Sequence, residues 1–136
     1  LCEKLIVNGA WWDIVDEVTT RRLSVVVMSA RSELTPVIRS WATDCDRWKR
    51  RASILVQLHY KEETDQDVLA FAIDRSLDEH DFFLRKGIGW ALRQYARTNP
   101  AWVIDFVREN IERMSSLSRR EALRNLWKDG RALELR

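Results

Sequence analysis

Trp12 and Asp16 stand four positions apart in the string Trp11-Trp12-Asp13-Ile14-Val15-Asp16. On a helix that spacing sets an indole and a carboxylate on one face, a turn apart. Both groups attract positive charge, the ring through its quadrupole and the acid through its formal charge. The plainer outcome for such a pair is a core tryptophan beside a solvated acid. Asp13 is the nearest rival to Asp16 and reads as a structural or surface acid. Other catalytic templates are missing. The glycines at 9, 87, 89 and 130 form neither a phosphate loop nor a dinucleotide fingerprint. His59 and His80 have no obvious Ser or Cys nucleophile as partner. Cys2 and Cys45 offer neither a disulfide framework nor metal-ligand spacing, and read as inert thiols in a reducing compartment.

The second group of interest is basic. Asp46-Arg47-Trp48-Lys49-Arg50-Arg51 lies 35 positions before Asp81-Phe82-Phe83-Leu84-Arg85-Lys86, with an acid, an aromatic and a basic pair in each, and Tyr60 and Tyr95 closing the two segments. A third basic pair, Arg119-Arg120, follows 34 positions later. A period in the mid-thirties with two helices per unit indicates an all-α, HEAT-like repeat α-solenoid. Stacked units would align Arg50, Arg51, Arg85, Lys86, Arg119 and Arg120 in a basic stripe. The acids cluster elsewhere, at Glu62, Glu63, Asp65 and Asp67 and at Asp78 and Glu79. Such a face would suit phosphates; the competing reading is that the basic pairs tie neighbouring repeats together through salt bridges.

The elements that must position these residues are helices throughout. Among 136 residues, 46% are hydrophobic and 32% charged, with only four Gly and two Pro, which reads as one helix-rich globular domain over 1–136. The apolar start at Leu1 to Ile6, without an initiator Met, predicts a first helix ended by Asn8-Gly9 and a chain cut from something longer. Trp11, Trp12, Val15 and Val18 predict a second. Leu23 to Met28 is β-branched but has no partner strand, so it reads as helix too. Further helices are expected after Pro36 to Trp41, from an Asp44 or Asp46 cap through Leu58, from Thr64 or Asp65 through Leu77, from Asp81 through Ala96, after Thr98-Asn99-Pro100, and from a Ser118-x-x-Glu121 capping box. Net charge is only +2, no apolar run is long enough for a membrane span, and seven tryptophans exceed what a core of this size needs.

Four strings, WWDIVDEV, WKRRASILVQLHYKEETD, FFLRKGIGWALRQYARTNP and LSRREAL, closely resemble in this order the DNA alkylation repair family of HEAT-like DNA glycosylases (AlkD-like). The resemblance runs from Leu1 to about Leu126 and implies that the family's N-terminal helices are missing here. It assigns the catalytic carboxylate to Asp16, damaged-nucleotide contacts to Trp12 and Trp90, and a DNA-contacting arginine to Arg51. Arg50, Arg85, Lys86, Arg93, Arg119 and Arg120 are further DNA-binding candidates. Trp11, Trp41, Trp48, Trp102 and Trp127 are left as packing residues. Gly87 departs from the alanine more often found there, a slight weakening of its helix.

The implied activity is monofunctional hydrolysis of the N-glycosidic bond of cationic N3- or N7-alkylpurines in duplex DNA. No cofactor or metal is expected, and the protein would be a bacterial, cytoplasmic monomer. Alkylation already makes the purine a good leaving group. A fixed carboxylate can then stabilise the oxocarbenium-like sugar and orient water, while indole faces hold the cation. The alternatives are a non-catalytic HEAT-repeat module that binds DNA or a protein, and a protein that binds lesions without excising them.

Overall fold

From Asp46 onward, the α-helix starts of this chain are set by short acceptor side chains. In the computed structural model, which describes residues 12–126 and 128–135, Asp46 accepts from the N–H groups of Trp48 and Lys49 at 2.9 and 3.0 Å. Asp65 does the same for Asp67 and Val68, and Asp81 for Phe83 and Leu84. Asn99 accepts from Trp102, with Pro100 at the first helical position, where its missing N–H costs nothing. The resulting helices are α1 (Trp12–Glu17), α2 (Ser24–Ser29), α3 (Arg31–Ala42), α4 (Arg47–Leu55), α5 (Gln66–Asp74), α6 (Phe82–Tyr95), α7 (Pro100–Glu109), α8 (Ser116–Ala122) and α9 (Gly130–Leu133). No strand occurs among the described residues. The all-α class expected of HEAT-like repeats is therefore the class observed, and Leu23 to Met28 is helical.

The repeat is visible in the helix starts. First helices begin at Arg31, Gln66 and Pro100, and second helices at Arg47, Phe82 and Ser116. Each basic pair begins at the fourth residue of a second helix. The chain divides into two compact units, Leu1–Ser76 and Leu77–Arg136. In the first, α3 and α5 pack on α4, and α1 joins them. Val15, Val18, Leu23, Val27, Ile38, Trp41, Ala52, Val56 and Val68 make its core, with Leu34 and Trp48 against it. In the second, α6 packs on α8 and α7 on both. Trp102 there stacks on Phe106 and meets Tyr95 edge to face, both at 5.3 Å between centroids.

Two expectations are corrected. The helix carrying Pro36 begins at Arg31, not after the proline. A full turn forms first, with the N–H groups of Glu33 and Leu34 bonding to the Ala30 carbonyl, and burial of Ile38 outweighs the one bond the proline cannot donate. The residue that caps α8 is Ser115, whose hydroxyl accepts from the Ser118 N–H at 3.0 Å. Ser118 already lies inside α8, where its hydroxyl donates to the Arg85 carbonyl, so it cannot open the helix. Between α1 and α2 runs a π turn, Val18–Leu23, with right-handed helical backbone on both sides. Buried Val15, Val18, Leu23 and Val27 recur at steps of three, five and four. The five-residue step is too long for an α-turn, and the wider π turn takes up the extra residue.

The expectations for Leu1 to Ile6, Asn8-Gly9, Trp11 and Trp127 lie outside the described residues. Cys2 does as well, while Cys45 is an exposed free thiol.

The α6–α8 contact is close enough to require a glycine. A Cβ on Gly89 would stand 2.6 Å from the Glu121 Cβ. Gly89→Ala is expected to destabilise the fold by about 1–3 kcal/mol, as overpacking does. Urea unfolding checks this, and an unchanged midpoint would show that α6 and α8 can separate freely.

Candidate active site

Asp16 is positioned from three sides. Its neighbour Val15 is fully buried in the core of the first unit, which turns this face of α1 inward. The Thr20 hydroxyl donates to the Asp16 carbonyl at 2.8 Å, on the first turn of the π segment. The side chain meets Arg51 of α4: Arg51 Nε donates to Oδ1 at 2.8 Å and Nη2 to Oδ2 at 2.9 Å. Asp16 is 6% exposed and Arg51 4%. Two parallel charge-assisted bonds satisfy both charges, which burial requires. Asp13 is exposed and accepts from its neighbour's N–H, so the two rival acids are clearly separated by environment. Trp12 opens the same helix, and its side chain lies outside the described residues.

Arg51, expected as a DNA contact with an ion pair as the competing reading, is engaged in such a pair. Its fork is turned onto a carboxylate 35 positions earlier in the chain.

The other basic candidates are largely engaged by protein atoms. Arg50 Nη2 donates to the Arg75 carbonyl at the C-terminal end of α5. Arg85 donates to the Glu79 carbonyl at 3.0 Å and faces His80 Nδ1 at 2.9 Å. Lys86 and Arg93 both reach Glu121, at 3.2 and 3.1 Å, and Arg124 approaches it at 3.8 Å. Arg119 is half-buried and Arg120 exposed. Trp90, on α6 in the second unit, is half-buried. Among the described residues no helix is long and apolar enough to cross a membrane, and no group of three or more His, Cys, Asp or Glu could hold a metal ion.

Sequence reasoning missed Glu121 as the hub of three cations, and missed Arg51 as the partner of Asp16. The signal was available. Asp16 and Arg51 are one repeat period apart, as are Lys86 and Glu121, and as are Asp78 and Arg113. Opposite charges at that separation on a repeat fold can face each other, on helices as in the first two pairs or in turns as in the third.

The family model described as "DNA alkylation repair enzyme" matches residues 1–126. Among solved structures, a protein described as "Predicted DNA alkylation repair enzyme from Enterococcus faecalis" aligns with a TM-score of 0.81 and 35% sequence identity, over 91% of this chain. This chain spans 57% of that protein's chain. No curated protein matches it.

The Glu121 cluster has a measurable pH signature. Partial burial pushes the Glu121 pKa up, but the hydrogen bond and charge of Lys86, and then the charges of Arg93 and Arg124, pull it further down. The net position is below the ordinary 4.5. A carboxylate with a depressed folded pKa adds stability that is complete above its unfolded value and lost as pH falls through the folded one. Native protein should therefore lose stability more steeply below pH 4.5 than Glu121→Gln does. Denaturant melts at several acidic pH values would test this, and parallel curves would sink it.

Proposed function

Because this chain belongs to the DNA alkylation repair enzyme family, we propose that it hydrolyses the N-glycosidic bond of cationic alkylated purines in duplex DNA. The observation that carries this reading is Asp16, a buried carboxylate with both oxygens held in a fixed plane. The bond between the sugar C1′ and the purine nitrogen breaks, and its electron pair neutralises the positive charge of the alkylated ring. That ring needs no proton in order to leave. Positive charge then develops on the deoxyribose, where Asp16 stabilises it and orients the incoming water. Water oxygen bonds to C1′ and its proton is released. Trp12 and Trp90 are the residues proposed to hold the cationic nucleotide by their faces, at about 0.5–2 kcal/mol each. Arg120, exposed, and the basic groups around Glu121 are proposed to meet backbone phosphates.

One observation favours the rival reading of a binding module without catalysis. Asp16 and Arg51, like Lys86 and Glu121, are paired within the protein in the manner of repeats tied by salt bridges.

Release of 7-methylguanine from a methylated duplex separates the two. The native chain is expected to release the base, and Asp16→Asn to slow release by about 10²–10³-fold while DNA binding is kept. Equal rates for native and variant would rule out Asp16 as the catalytic group. No release by the native chain would favour the binding module.

A further inference from the structure

A cavity of about 390 Å³ lies in the first unit, between the start of α3 and the connection from α4 to α5. Asp16, Arg51 and the basic candidates do not line it. Its floor is the core itself, made by Val27, Ile38, Val56 and Val68, each no more than 5% exposed. An apolar floor with a few convergent polar groups is the ordinary form of a small-molecule site. The polar groups decide which molecule fits.

Two of the lining residues are charged, Arg31 and Asp65, and their signs are opposite. Each is held by bonds that leave part of its charged group unused. The Arg31 guanidinium lies over the Tyr60 ring, 5.0 Å from its centroid, and Nη2 donates to the Glu63 carbonyl. A guanidinium has several further N–H donors to offer. Asp65 is gripped through its backbone: Gln57 Oε1 accepts from its N–H at 2.7 Å, and Gln57 Nε2 donates to its carbonyl at 3.1 Å. Oδ1 of Asp65 takes both cap bonds of α5, from Asp67 and Val68, and Oδ2 takes neither. Among the described residues neither side chain forms a salt bridge, with the other or elsewhere. Opposite charges fixed on the walls of one cavity, and not joined, suit a ligand that carries both.

The start of α3 strengthens the positive side. Ala30 has no side-chain acceptor, so the N–H groups of Arg31 and Ser32 lack the cap that α4 to α9 all possess. Both residues line the cavity. A carboxylate there would meet the guanidinium and these N–H groups together. A phosphate or other polyanion would be repelled by Asp65, and a simple fatty acid would leave Asp65 unanswered.

We infer that this cavity binds a free α-amino acid with an apolar side chain of leucine size. Its carboxylate meets Arg31 and the start of α3, its ammonium meets Oδ2 of Asp65, and its side chain lies on Ile38, Val56 and Val68. Binding here is independent of base release, so either reading can fail without the other.

Amide NMR of the full chain at pH 7 tests this, with L-leucine, 4-methylpentanoate and 3-methylbutylamine titrated separately. The second lacks only the ammonium of leucine and the third only its carboxylate. L-leucine should shift the amides of the lining residues saturably, with Kd about 1 mM or tighter, a range open to a ligand of so few atoms. Each analogue should bind about tenfold more weakly, as loss of a hydrogen bond to a charged group implies. Arg31→Gln should bring leucine down to the affinity of 3-methylbutylamine. Asp65→Asn, which keeps the cap of α5, should bring it down to that of 4-methylpentanoate. The comparison of the three ligands on native protein needs no variant to fold. No saturable shift with L-leucine, shifts confined to residues away from the cavity, or equal affinity for either analogue would each overturn the inference. So would native leucine affinity in both folded variants.

Discussion

Burying a charge demands a partner held in place, and that demand shapes the first unit of this protein. Asp16 and Arg51, next in sequence to the core residues Val15 and Ala52, are only 6% and 4% exposed. Left unpaired there, either charge would be strongly unfavourable. The fork that resolves this tolerates little error, so α1 and α4 must present the two residues at matching heights. The Asp46 cap sets where α4 begins, and hence where Arg51, its fifth residue, comes to lie. The π turn lets Val15 and Leu23 share one buried face, which keeps the turn bearing Asp16 pressed inward. Cap, π turn and apolar stripe are separate local features with one common outcome, a carboxylate whose position is determined.

The same register carries a second contact of opposite polarity. Lys86 donates and Glu121 accepts, on α6 and α8, and Gly89 lets the two helices approach. Here three cations surround one acid at partial exposure, which leaves a local excess of positive charge. A chain with net charge of only +2 can therefore still carry a concentrated basic site. Glu121 limits that excess and also orders it, since long basic side chains lose less freedom on meeting a phosphate when they are already held. The repeat thus supplies a common geometry, and the residue type at each place decides whether the contact is a dry fork or a wet cluster.

Much of this was legible in the sequence, for reasons that differ by feature. Capping depends on residues two or three positions apart, so Asp81 and the start at Asn99-Pro100 could be read directly, and Asp65 to within one residue of Thr64. The period of about 35 was visible because it repeats both composition and spacing. Ser115 and Ser118 could not be told apart, since both hydroxyls stand near the start of α8 and only backbone conformation decides which one caps. Pro36 misled because proline marks helix starts in general, while the burial of Ile38 that overrides it is tertiary. The π turn left its trace in the five-residue step from Val18 to Leu23, a pattern that also fits a break between helices. Asp16 could be singled out by type, but its partner lies 35 residues away, beyond any local rule. Only the repeat period connects the two.

A carboxylate neutralised by arginine might be thought useless for stabilising a cation, and distance answers the objection. On the proposed reading a developing sugar cation would lie about 3.5 Å from a carboxylate oxygen and about 6 Å from the guanidinium behind it. At an effective dielectric constant of about 20, these separations correspond to roughly 5 kcal/mol of attraction and roughly 3 kcal/mol of repulsion. The balance is favourable by about 2 kcal/mol, and it depends on the carboxylate lying between the two cations. Arg51 holds both carboxylate oxygens, beside the buried Ala52. A free carboxylate would attract more strongly but would turn, and on each turnover it would have to be brought back into line against solvent. A held dipole gives up part of the attraction and removes that reorganisation. For a leaving group that already carries its own charge, one oriented acid is enough, which is consistent with Asp16 being the sole buried acid among the described residues.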